Sequence, residues 1–195
     1  MSRFSQWLTA VSLSLLIAGT ARAQQPDTRR LTLGASFGGL AGATNLDNPG
    51  AVDWRLGWAA SANATYWVQR YVGVRANGTW GQDSVRGNPG SVPGRQKFNK
   101  FYYGADLVLR YPLQAGRNLV TPYLLGGAGA VSYHQLGTDG TFTKFAGDFG
   151  AGIEYRFRRI GVRAEGRDFV STFDRFGFDK TQHDIVWDAG LTYSF

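Results

Sequence analysis

Ser132 and His134 stand two residues apart in VSYHQ (131–135). In a strand, residues i and i+2 share a face, so both could meet one substrate. A hydroxyl with an imidazole beside it can act as nucleophile and base, and an outer-membrane lipid hydrolase would use such a pair. That chemistry also needs an acid to orient the imidazole, and no third member is evident. His183 is followed by Asp184 but is otherwise isolated. The chain has no cysteine, which excludes a thiol nucleophile, a disulfide scaffold and a cysteine metal site. No HExxH, phosphate-binding loop, paired-carboxylate spacing or metal-ligand cluster appears. The glycine clusters GGLAG (38–42) and GGAGA (126–130) precede no helix, so nucleotide binding is not expected. These residues predict no catalytic centre, no cofactor and no metal. What stands out is a set of charges at alternate positions: Arg75, Asp106, Arg110, Glu154, Arg156, Arg163, Glu165, Arg167 and Asp188.

The elements that must carry those charges show a period of two. It recurs eight times, beginning near Leu31, Ala60, Val72, Phe101, Tyr123, Phe149, Ile160 and Ile185. In the last stretch Trp187, Ala189, Leu191, Tyr193 and Phe195 alternate with Asp188, Gly190, Thr192 and Ser194. Alternation of this length predicts strands with two unlike faces. The fifth is the least clear, because both of its faces are small or apolar. The joins alternate in length. Those at 69–70, 112–118 and 158–159 are short, whereas 44–57, 81–99, 135–144 and 171–182 are long and polar. The expected outward face carries Trp58, Trp80, Phe101, Tyr103, Tyr133 and Trp187 toward the long loops. Toward the short turns it carries Tyr66, Tyr111, Tyr123, Tyr155, Phe157, Tyr193 and Phe195. Two aromatic belts flanking an apolar band suit two membrane interfaces.

A soluble eight-stranded barrel would reverse the faces, with apolar residues inside. Loop asymmetry, paired belts and a closing strand that ends on an aromatic favour the membrane form. The expected fold is therefore all-β: an eight-stranded antiparallel up-and-down transmembrane β-barrel. The charged set then points inward, together with Ser132 and His134 by the same register. A barrel of eight strands is just wide enough for side chains to fill, so the charges are expected to pair as a plug. Glu154 and Arg163 should sit on neighbouring strands, beside a ladder of Arg163, Glu165 and Arg167 next to Asp188. The alternative is a polar lumen that conducts small solutes.

The first 23 residues read as a secretory signal peptide. Arg3 is followed by the apolar run LTAVSLSLLIAG (8–19) and the small-x-small site Ala21-Arg22-Ala23. Residues 24–195 then form one barrel domain. The formal charge is +7, and a secreted basic chain is expected to meet anionic lipid headgroups, with no nucleic acid partner. In the 81–99 loop and just after it, Arg86, Arg95, Lys97 and Lys100 are candidate contacts to lipopolysaccharide phosphates.

The stretches VTPYLLGGAGA (120–130), FAGDFGAGIEYRF (145–157), IGVRAEGRDF (160–169) and the terminal GLTYSF resemble the small OmpA/OmpX-like outer-membrane β-barrel proteins. That resemblance implies periplasmic termini, four surface loops and a Gram-negative outer-membrane location. It also implies that Tyr193 and Phe195 carry the signal read by the barrel-assembly machinery. A monomer with a structural or surface-interaction role is expected, with a small pore or hydrophobic-solute channel as the alternative and a lipid-modifying enzyme behind it.

Overall fold

The computed structural model describes residues 30–43, 52–87, 96–135, 141–173 and 180–195. The expected leader, residues 1–23, and Arg95 lie outside the described residues. In the described part nine strands form and no helix. They are β1 (Leu31–Gly42), β2 (Val52–Trp67), β3 (Val72–Gly87), β4 (Gln96–Arg110), β5 (Leu113–Ala115), β6 (Asn118–Gln135), β7 (Thr141–Phe157), β8 (Ile160–Phe173) and β9 (Lys180–Ser194). All pairings are antiparallel between sequence neighbours, except that β4 pairs with β6 and β1 with β9. β5 only prolongs the turn before β6. Each of the eight long strands thus pairs with two other long strands, and the sheet closes into a barrel without a free edge among them. In lipid that closure is obligatory, because no water is present to satisfy an edge.

The closing seam is the one expected from the chain ends. Thr32 pairs with Ser194, Phe37 with Ala189, and the Phe195 amide donates to the Leu31 carbonyl at 2.9 Å. Outward residues of the seam are apolar and exposed, among them Leu33, Phe37, Leu191 and Phe195. Inward residues are polar and buried: Thr32, Ser36, Asp188, Thr192 and Ser194. The polarity of a soluble barrel is therefore reversed. Water is the wrong solvent for that exterior, and a bilayer is the right one.

Two expectations need correction. First, β6 is turned the other way. Tyr123, Leu125, Val131 and Tyr133 are buried, while Leu124 is 61% exposed. Pairing settles the face: Tyr133 lies opposite Lys100, Tyr102 opposite Val131, and Asp106 opposite Gly127, all on the lumen side. The tyrosine hydroxyls find partners only inside, whereas Pro122, Leu124, Gly126, Ala128 and Ala130 suit lipid. Ser132 and His134 consequently face outward, not inward. Second, the strands run farther into the expected loops. β3 continues to Gly87 and β4 starts at Gln96, so Arg86, Lys97 and Lys100 lie in strands. A bilayer needs about 9–11 residues per strand. At 15–18 residues, β4, β6 and β7 reach beyond the belt at the loop end.

Candidate functional site

The chemistry-bearing side chains meet in the lumen, in three tiers. The middle tier is centred on Glu165 of β8. Arg75 Nη1 of β3 donates to Glu165 Oε2 at 2.6 Å, and the Tyr123 hydroxyl donates to the same oxygen at 2.5 Å. Arg163 and Arg167 flank it in the strand, at 3.9 and 3.8 Å. Arg167 Nη2 then bridges Asp106 Oδ2 at 3.0 Å and Asp148 Oδ2 at 2.5 Å. Asn77 donates to the other Asp106 oxygen at 2.8 Å. Arg163 Nη1 reaches Asn63 Oδ1 at 3.0 Å, and Ser61 holds Asp188 Oδ2 at 3.0 Å. Three arginines of β3 and β8 here face four carboxylates drawn from β4, β7, β8 and β9.

Glycine makes this possible at two places. A Cβ on Gly34 would meet Asn63 Oδ1 at 2.9 Å and Arg163 Nη1 at 3.1 Å, so its absence leaves the guanidinium its room. A side chain on Gly152 would strike the Tyr123 ring and hydroxyl, which need that space to reach Glu165.

Above this tier, toward the loops, lies an apolar septum. Leu40, Ala59, Tyr102, Val131, Tyr133, Ala146, Phe169 and Val186 form one buried cluster. Tyr102 stacks on Phe169 with centroids 4.3 Å apart. A void between septum and middle tier, bounded by Asn77, Tyr102, Asp148 and Phe169, measures about 10 Å³. That is room for a single water at most.

The mouth tier caps the septum. Lys100 Nζ sits between Asp83 Oδ2 at 2.8 Å and Asp184 Oδ1 at 2.9 Å, and all three side chains are fully buried. Tyr102 donates to Asp184 Oδ2 at 2.6 Å, and Gln182 donates to Oδ1 at 3.1 Å. The Tyr133 hydroxyl pairs with Ser171 Oγ at 2.9 Å. Lys100, expected as a lipopolysaccharide contact, is therefore an internal cation. It cannot reach a lipid phosphate, because its ammonium is enclosed by the barrel wall. The side chains of Arg86 and Lys97 lie outside the described residues.

The turn-end tier is smaller. The Arg110 guanidinium lies 3.5 Å over the Trp67 ring, and its Nε donates to the Arg70 carbonyl at 2.8 Å. Arg156 donates to Ser194 Oγ at 3.0 Å and lies 3.7 Å from Glu154 Oε1. Glu154 and Arg163 are register partners, yet each turns to other neighbours: Glu154 to Arg156, Arg163 to Glu165 and Asn63.

Asp83, Asn77, Tyr102, Asp148 and Asp184 belong to the tiers but were not assigned to the lumen by sequence reasoning, and Tyr123 was placed on the outer wall. Parity held the signal for the acids. Counting by twos from Arg75 reaches Asp83, and counting back from Asp188 reaches Asp184.

The outer wall carries the remaining candidates. Ser132 Oγ pairs with Thr143 Oγ1 at 2.8 Å, and His134 Nδ1 with Thr141 Oγ1 at 3.1 Å. Both are thus held by β7 and not by one another. His183 Nδ1 pairs with Asp168 Oδ2 at 2.8 Å on the same outward face, while Asp184 points inward. Among the described residues no group of three or more His, Asp or Glu could hold a metal ion. Tyr193 and Phe195 are exposed on the outer wall, with ring centroids 4.8 Å apart.

Residues 8–195 match the family model described as outer membrane protein beta-barrel domain. Among solved structures the chain is similar to Neisserial surface protein A, with a TM-score of 0.61 at 13% identity, over 85% of this chain and 97% of that one. It is also similar to the outer membrane protein OprG from Pseudomonas aeruginosa, with a TM-score of 0.55 at 14% identity, over 86% and 96%. The N-terminal β-barrel domain of Pseudomonas aeruginosa OprF aligns with a TM-score of 0.50 at 12% identity, over 86% and 98%. At such identities the likeness concerns the fold. No curated protein matches the chain. Matched over nearly its whole length and built with charges inside and rings outside, this chain belongs to the outer-membrane β-barrel family.

Proposed function

We propose that this protein is a sealed barrel that acts through its outer surface and loops, as a structural or surface-interaction protein of a Gram-negative outer membrane, and not as a conduit. One observation carries the reading: the lumen is crossed by two paired charge tiers with a packed apolar septum between them. A solute would have to break both tiers and displace the septum. Single-channel recording in planar bilayers tests this. The expected result is a silent bilayer; steady, reproducible openings that vanish when Arg163 or Glu165 is made bulkier would defeat it.

A catalytic role is not proposed. Ser132 and His134 are bound by Thr143 and Thr141 of β7, so the partner of the imidazole is a hydroxyl and not an acid. A change in lipid A mass on overexpression, lost in His134→Asn, would overturn that assignment. The chain is read as a monomer that loses residues 1–23 on export. Arg86, Arg95 and Lys97 are its loop-side candidates for lipopolysaccharide phosphates, and Tyr193 and Phe195 its assembly signal. Deleting Phe195 should lower outer-membrane levels several-fold more than deleting any loop residue, as read by heat-modifiable migration in membrane fractions.

A further inference from the structure

The turns at the end that carries both chain ends are charged with one sign. Arg70, Arg117, Arg158 and Arg159 occupy the three short connections, and exposed Arg30 stands at the foot of β1. YWVQRYV (66–72), YPLQAGRNLV (111–120) and FRRI (157–160) contain no acid. In the long connections acids accompany bases, as in DNPGAVDWR (47–55) and DRFGFDK (174–180), and even 81–99, with Arg86, Arg95 and Lys97, holds Asp83. The short connections are thus the ones that carry bases without any acid.

That rim lies directly beyond a lipid-facing belt. Tyr66, Tyr111, Tyr155, Phe157, Tyr193 and Phe195 are all exposed on the outer wall. Aromatic rings of this kind settle at the hydrocarbon–headgroup boundary. The arginines follow them within one to six residues, which at about 3.3 Å per residue puts their heads at the depth of lipid phosphates. Some are braced there by the belt itself. Arg158 lies over the Phe157 ring at 5.3 Å, Arg70 over Tyr71 at 5.3 Å, and Arg159 Nη1 donates to the Tyr193 hydroxyl at 3.5 Å. Arg158 also holds a left-handed backbone, with φ at 56°. Glycine or asparagine would take that conformation at lower cost.

We propose that this arginine collar binds anionic phospholipid headgroups of the leaflet at the turn end, the inner leaflet of the outer membrane. Guanidinium groups match phosphodiester oxygens in charge and geometry. The proposal rests on the membrane-barrel fold but not on the sealed lumen, so conductance and lipid preference can fail separately.

The test uses the full mature barrel in nanodiscs of equimolar phosphatidylethanolamine and phosphatidylglycerol. Lipids retained on release are counted by native mass spectrometry. The wild type should keep phosphatidylglycerol over phosphatidylethanolamine by roughly fivefold or more, the scale expected for each basic residue at an anionic surface. R70Q/R117Q/R158Q/R159Q should lose the preference, while R70K/R117K/R158K/R159K should keep most of it. The loop-end variant R86Q/R95Q/K97Q should keep all of it. Heat-modifiable migration confirms that each barrel is folded. Equal retention of both lipids by the wild type would overturn the proposal. So would a preference that survives the glutamine variant, or a collar-dependent preference for lipid A over phosphatidylglycerol in a matched nanodisc.

Discussion

The middle and mouth tiers solve the same problem with different redundancy. Both place charge inside a wall that faces lipid or the membrane surface. In the middle tier Glu165 is approached by three arginines and a tyrosine, and Arg167 alone serves three carboxylates. In the mouth tier one ammonium serves two carboxylates, and all three groups are fully buried. A meshed set can lose a member and redistribute its bonds. A hub cannot, because an uncompensated buried charge costs several kcal/mol. The smaller tier should therefore be the more brittle.

The sharpest test is Lys100→Met. It leaves Asp83 and Asp184 facing each other with no cation between them, and should lower stability by about 3–5 kcal/mol. Urea unfolding of the barrel refolded in lipid vesicles measures it. Replacing the whole hub, as D83N/K100M/D184N, should recover most of that loss, since an ion cluster and a neutral one of similar volume are often close in energy. A triple variant as unstable as the single one would break the hub model.

Glu165→Gln should cost less, about 2–3 kcal/mol, because three arginines still face Asp106, Asp148 and Asp188. Arg163→Gln should cost less again, about 1–2 kcal/mol, since Arg75 and the Tyr123 hydroxyl still serve Glu165. If either loss exceeded that of Lys100→Met in the same urea series, the contrast between mesh and hub would be wrong. At the small end stands Ser171→Ala. It removes a partner of the Tyr133 hydroxyl and should cost about 1 kcal/mol without changing the outer wall.

The two tiers also differ in how far the sequence revealed them. Arg75, Asp106, Arg163, Glu165, Arg167 and Asp188 sit in the middle of strands with clear alternation, so parity alone turned them inward. Lys100 sits where an apolar pattern gives way to loop composition, and it read as surface. Only the extension of β3 and β4 past Trp80 and Phe101 brought it inside. Tyr123 and Tyr133 were misread for another reason. β6 is small or apolar on both faces, and a period of two cannot say which face is which when the faces match.

From the sequence alone came the number of long strands, the apolar exterior of seven of them and the closing pair, all of which follow from alternation and turn chemistry, which are local; the family was legible as a resemblance carried by stretches such as FAGDFGAGIEYRF and GLTYSF. Tertiary structure decided the face of β6, the reach of the strands past the belt and the partner of every charge. Those depend on which residues the closed sheet sets opposite each other across the lumen, and Lys100 meets Asp184 across 84 positions of chain. No periodicity within a strand carries that information.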